Sequence, residues 1–263
     1  MPEQLKSQSS LENDTSPSSR RSAWSPCPAI LTFPSDRIDI WKVYLDHPLA
    51  CDTDAGVLST DENSRAKRFH FDRDRIHFTR CRSALRTLLA RYLTISADEI
   101  CFEYSANGKP HVAAEQNPRA LQFNVSHSAG IALIAVSAEH NLGVDLEKMR
   151  TEVDTTALAE RFFSLRERAT LRSLPDHLRS TGFYACWTRK EAFLKATGDG
   201  LSFPLADFSV TTHPDLMPEV EEVLGNKVAR KEWFLADVSV DDGFRAAVAI
   251  KTTLSRLKTY LLT

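Results

Sequence analysis

The order of the predicted elements constrains this chain more than any other feature of its 263 residues. The run from Ile38 to Leu45, Ile-Asp-Ile-Trp-Lys-Val-Tyr-Leu, is β-prone and predicts a strand. A short helix from Asp61 to Phe69 follows. A longer one is N-capped by Asp72 and ends near Tyr92, with Ile76, Phe78, Leu85, Leu88 and Leu89 facing inward. Strands are predicted at residues 101–104, 121–125, 131–137 and 143–147, with Asn107-Gly108 supplying a positive-φ turn. The polar turn at Glu139 to Asn141 predicts an antiparallel hairpin between the last two. Helices are then expected at about 155–162, 165–174 and 180–197, the third ended by Gly198, and strands near 208–211, 232–238 and 244–250. Each half therefore runs strand, helices, antiparallel strands. This predicts an α+β fold of two similar α/β lobes forming a pseudo-twofold pair, with a seam near residues 139–145. The expected division is a disordered tail at 1–28, rich in Ser, Pro, Glu and Gln, an N-terminal lobe at 29–140 and a C-terminal lobe at 141–263.

Composition removes several classes of protein. The net charge is −2, so general polyanion binding is not indicated, yet residues 65–91 hold nine Lys or Arg against two Asp. A local basic patch on a near-neutral chain points to a discrete anionic ligand. Five cysteines in no CxxC pair argue against a zinc ribbon or a disulfide framework and fit a reducing, cytoplasmic setting. No run approaches the 18 or so apolar residues that span a bilayer, and the first residues lack the basic and apolar regions of a secretory signal.

Four segments carry chemistry. In Gly143-Val144-Asp145-Leu146-Glu147, strand alternation puts Asp145 and Glu147 on one face and Val144 and Leu146 on the other. Two such carboxylates repel unless a hard divalent cation joins them; the plain alternative is a solvated acidic strand face. In Trp187-Thr188-Arg189-Lys190-Glu191-Ala192-Phe193-Leu194-Lys195, helical spacing aligns Trp187, Glu191 and Lys195, while Lys190 lies a step round the helix. Ser164 and Glu167 match a capping box opening a helix. The segment Asn124-Val125-Ser126-His127-Ser128 sets a histidine between serines at a strand end.

In this order and spacing, N-V-S-H-S, G-V-D-L-E, F-F-S-x-x-E and W-x-x-K-E-A-x-x-K make the chain resemble the 4′-phosphopantetheinyl transferases, of the type that activates nonribosomal peptide and polyketide synthases. The likeness runs from about Arg65 to Ser209. It implies an enzyme that moves the 4′-phosphopantetheine arm of coenzyme A to a serine of an apo acyl or peptidyl carrier protein, releasing 3′,5′-adenosine bisphosphate. It further implies a Mg²⁺ ion, or Mn²⁺, held by Asp145, Glu147 and Glu191, with Glu147, Glu167 or a metal-bound water as the proton acceptor. Coenzyme A contacts are implied for Arg73, Lys109, Ser126, His127, Lys190 and Lys195, the last also beside the reacting phosphate. The family pattern further suggests a cytoplasmic monomer without nucleic-acid or membrane partners. Two other readings remain open at this level: a metal-dependent nuclease, and a non-catalytic nucleic-acid-binding module using the basic segment.

Overall fold

The computed structural model describes residues 24–48, 56–198, 203–228, 232–252 and 256–263. In chain order its elements are β1 (Ser25–Pro26), β2 (Ile38–Tyr44), α1 (Thr60–Ala66), α2 (Asp72–Leu93), β3 (Phe102–Tyr104), β4 (Pro110–Val112), β5 (Leu121–Ser128), β6 (Ile131–Ala138) and β7 (Leu142–Lys148). Then come α3 (Thr155–Phe162), α4 (Leu165–Ser173), α5 (Asp176–Thr197), β8 (Phe208–Val210), β9 (Val220–Val223), β10 (Asn226–Lys227), β11 (Phe234–Asp237), β12 (Phe244–Ile250) and β13 (Leu257–Leu262).

Two sheets and two long helices organise the core. The first sheet runs β1-β13-β2-β6-β5, and the second runs β11-β12-β7. On the outer face of the first sheet, Leu85, Leu88 and Leu89 of α2 pack on Trp41, Val43, Phe123 and Val136. Its inner face presents Ile38, Ile40, Leu133 and Ala135 to Leu142, Val144, Leu146 and Val248 of the second sheet. The far side of that sheet, through Ala247 and Ala249, carries Ala192 and Ala196 of α5 together with residues of α3 and α4. Each sheet thus bears one 22-residue helix on its outside, giving an α+β fold of two similar lobes stacked sheet to sheet.

Local signals account for most of these elements. Ser59 and Glu62 form a capping box that opens α1, and Ser164 with Glu167 does the same for α4. Gly198, at φ +80°, ends α5. Ala129 and Gly130, both at positive φ, close a two-residue turn joining β5 to β6, where a β-carbon on Gly130 would lie 2.3 Å from Asp46 Oδ2.

Several expectations need correction. The hairpin predicted between residues 131–137 and 143–147 does not form. β6 has β2 on one edge and β5 on the other, so no edge is left for β7, which pairs with β12 instead. Asp72 is not the N-cap of α2; Phe71 holds that position without a side-chain cap, and Asp72 is the first helical residue. Ile76 is 41% exposed and does not join the core. Most of the expected tail lies outside the described residues, but Ser25 and Pro26 pair with Tyr260 and Leu261. The final strand, β13, lies beside β2 in the first sheet, so residues 257–262 do not stay with the second.

Candidate active site

The acidic pair of β7 sits where that strand meets α5. Asp145 stands opposite Ala247, one of the residues packed beneath α5, and Glu147 opposite Arg245. The two elements approach closely because residue 143 lacks a side chain: a β-carbon there would fall 2.0 Å from the Ala192 carbonyl oxygen and 2.7 Å from Lys195 Cβ. Only glycine permits that contact, which brings Glu191 and Lys195 of α5 beside the β7 carboxylates.

Asp145 is 4% exposed. Its Oδ1 accepts from Lys195 Nζ at 2.7 Å and from Ser126 Oγ at 3.0 Å. Lys195 Nζ also donates to Ser126 Oγ at 3.2 Å and to the Val144 carbonyl at 3.1 Å, engaging its three protons. Asp145 Oδ2 is buried with no hydrogen-bond partner among the described residues. Such an orphan costs roughly 1–3 kcal/mol unless something supplies positive charge. Glu147 accepts from Ser128 Oγ at 3.3 Å. Burial first, then the charge of Asp145, pushes the Glu147 carboxyl above the ordinary range, with Glu191 adding to the effect. The Glu191 carboxyl is raised by the same two causes. The three acids therefore sense one another, although among the described residues no three His, Cys, Asp or Glu side chains are already arranged to hold a metal ion.

Glu167 and Lys190, both expected at the site, are instead partners in the interior. Glu167 is 1% exposed and Lys190 is fully buried. Lys190 Nζ donates to both Glu167 carboxylate oxygens at 2.7 Å and to the Phe208 carbonyl at 2.6 Å. Glu167 also accepts the backbone N–H groups of Ser164 and Val210. A buried carboxylate that accepts four hydrogen bonds from three donor groups is poorly placed to act as a base, and Lys190 has no proton left for a phosphate. Burying each charge is tolerable only because the other neutralises it.

The side chains of the N-terminal half expected to contact the coenzyme do not gather at one place. Arg73 is exposed and lies beside Asp74. Lys109 Nζ donates to the carbonyls of Leu142 and Lys195, tying the 105–110 turn to the start of β7 and the end of α5, and burial lowers its pKa to about 8. Ser126 is buried and committed to Asp145 and Lys195. His127 lines a pocket of about 200 Å³, shared with Arg65, Phe78, Arg82, Pro110 and Val125. Burial, Lys195 and His77 hold its imidazole toward the neutral form. Arg65 and Arg82 escaped the sequence reading. For Arg82 the signal was its helical spacing from Phe78, which places a ring and a guanidinium on one face of α2. The rest of the basic segment is largely structural: Arg86 pairs with buried Glu62, Arg80 donates to the Leu45 carbonyl, and Arg91 binds the Pro28 carbonyl.

An acidic seam thus lies beside a pocket lined by arginine and histidine. A family model described as 4′-phosphopantetheinyl transferase superfamily matches residues 141–249, and one described as 4′-phosphopantetheinyl transferase, N-terminal, matches residues 49–139. The chain is 39% identical to the 4′-phosphopantetheinyl transferase HetI of Nostoc sp., over 86% of this chain and 93% of that protein. It is 30% identical to the 4′-phosphopantetheinyl transferase Sfp of Bacillus subtilis, over 80% of this chain and 90% of that protein. A solved holo-[acyl-carrier-protein] synthase from Thermotoga maritima matches at 19% identity with a TM-score of 0.33, over 43% of this chain and 62% of that one, a likeness too partial to weigh on the fold. The chain belongs to the 4′-phosphopantetheinyl transferase family and is an enzyme of that class. No helix among the described residues is long and apolar enough to cross a membrane.

Proposed function

We propose that this enzyme transfers the 4′-phosphopantetheine arm of coenzyme A to a serine of an apo acyl or peptidyl carrier protein, with a divalent cation at the β7–α5 seam. The observation that carries this reading is the meeting of Asp145, Glu147, Glu191 and Lys195 at that seam. The donor set suits Mg²⁺ or Mn²⁺: three carboxylates, two of them with pKa raised by burial and by the charge of Asp145, and one orphaned buried oxygen on Asp145. Asp145, Glu147 and Glu191 would hold the ion, which when bound neutralises pyrophosphate charge.

The protein's own groups supply the rest. Arg65 and Arg82 supply positive charge, and His127 a neutral imidazole, to a pocket suited to the 3′-phosphate end of coenzyme A, with the Phe78 ring in its wall. Lys195 stays on Asp145 and adds positive charge next to the leaving bisphosphate. The carrier serine oxygen forms a bond to the phosphorus bearing the pantetheine arm. The bond from that phosphorus to the bisphosphate oxygen breaks, and 3′,5′-adenosine bisphosphate leaves with the electron pair. The serine proton passes to Glu147, which is half-buried and accepts a single side-chain hydrogen bond, rather than to saturated Glu167. The described cysteines are free thiols, which supports a cytoplasmic setting, and the reading is of a monomer.

Intact-mass spectrometry of an apo carrier protein incubated with this enzyme, coenzyme A and Mg²⁺ should register the gain of one phosphopantetheine. Asp145→Ala should slow that gain on the order of 10²-fold or more. An Asp145→Ala enzyme working at the parental rate would overturn the assignment of the seam.

A further inference from the structure

β7 hydrogen-bonds to β12 along one edge only. Because backbone groups alternate between edges, the N–H groups of Val144, Leu146 and Lys148 point from the other edge, where an unmet buried donor is costly. No strand backbone among the described residues meets them. Side chains of β5 do: Asn124 Oδ1 accepts from Val144 N at 2.9 Å, Ser126 Oγ from Leu146 N at 3.2 Å, and Ser128 Oγ from Lys148 N at 3.1 Å. Asn124, Ser126 and Ser128 alternate along β5, so the periods of the two strands match rung for rung.

A backbone ladder would join the strands and do nothing else. A serine rung has a proton left over, and both serines give it to a carboxylate one residue back along β7. Ser126 donates to Asp145 and Ser128 to Glu147. Asp145 has Lys195 as a second tether, whereas Ser128 is the hydrogen-bond donor found for the Glu147 carboxylate among the described residues. We propose that Ser128 is a positioning residue: its hydroxyl, pinned by Lys148 N–H, aims the Glu147 carboxylate at the cation site. This deepens the reading of Asp145, Glu147 and Glu191 as metal ligands and rests on it. Groups that orient a ligand in this way typically govern metal affinity by about 10–100-fold.

The test is direct binding of Mn²⁺ to the full chain, followed by electron paramagnetic resonance, with the KM for coenzyme A measured alongside. Ser128→Ala should weaken Mn²⁺ binding about tenfold while leaving the KM within about twofold, and Ser128→Thr, which keeps the hydroxyl, should restore the affinity. If the alanine variant does not fold, Ser128→Cys, similar in size but a poor donor, should show the same loss. Parental Mn²⁺ affinity in Ser128→Ala or Ser128→Cys, with Asp145→Ala devoid of Mn²⁺ binding, overturns the positioning role and leaves the metal site standing. Failure of Ser128→Thr to restore affinity also overturns it, since packing and not the hydroxyl would be at fault. If Asp145→Ala itself binds Mn²⁺ normally, the metal reading falls and takes this inference with it.

Discussion

Replacing Lys190 by methionine separates a structural role from a coenzyme contact. The substitution keeps the length of the side chain and removes the ammonium that donates three hydrogen bonds, two to Glu167 and one to the Phe208 carbonyl. Glu167 would be left buried with two backbone N–H groups, from Ser164 and Val210, and no counter-charge. Breaking a buried ion pair by removing one partner costs about 3–5 kcal/mol. That is a large share of the roughly 5–15 kcal/mol that holds a folded domain together. At about 2–4 °C per kcal/mol for a chain of this size, Tm should fall by roughly 6–20 °C. Adding Glu167→Gln removes the stranded charge and should return a good part of the loss, because neutral replacements of a buried pair are often tolerated. Urea unfolding of the single and double variants measures these differences, and a coenzyme A titration of the folded variants measures the site. If Lys190→Met unfolds at the parental urea midpoint yet binds coenzyme A more weakly, the lysine contacts substrate and the interior pairing is wrong.

Two further substitutions probe the seam. Gly143→Ala would push a β-carbon into the Ala192 carbonyl and Lys195, so α5 must separate from β7; we expect a loss of about 3 kcal/mol in urea unfolding and little transferase activity. Lys109 loses its proton more readily when folded, at about 8, than in the unfolded chain, so the folded state binds fewer protons and stability should rise as pH increases through 8 toward the ordinary lysine value. Thermal unfolding across that range should show the rise in the parental enzyme and its absence in Lys109→Met.

What could be read from sequence was local. The alternation of Gly143 to Glu147 and the helical spacing of Glu191 and Lys195 are properties of single elements, and both elements form as expected. The capping box at Ser164 was legible for the same reason: its two hydrogen bonds join residues three apart. The partners of Lys190 were not legible. Helical geometry places that lysine relative to Glu191, but its burial depends on where Glu167 and Phe208 arrive from elsewhere in the chain. The predicted hairpin failed likewise. Nothing between residues 131 and 147 reveals that β2, from far earlier in the chain, already occupies one edge of β6. Arg82 and Arg86 show the limit for charge patterning, since both pair with buried Glu62 and only Arg82 also lines the pocket.

The parallel pairing of β2 with β13 has a consequence during synthesis. Ile38 cannot take its neighbour until Leu257 has emerged from the ribosome, so the earliest long strand made is among the last to be completed. Until then Trp41, which stacks on Tyr260 in the finished fold, has no cover on that side. A nascent chain of this protein therefore exposes a sticky sheet margin from the emergence of β2 until that of β13, the interval in which a chaperone would matter most.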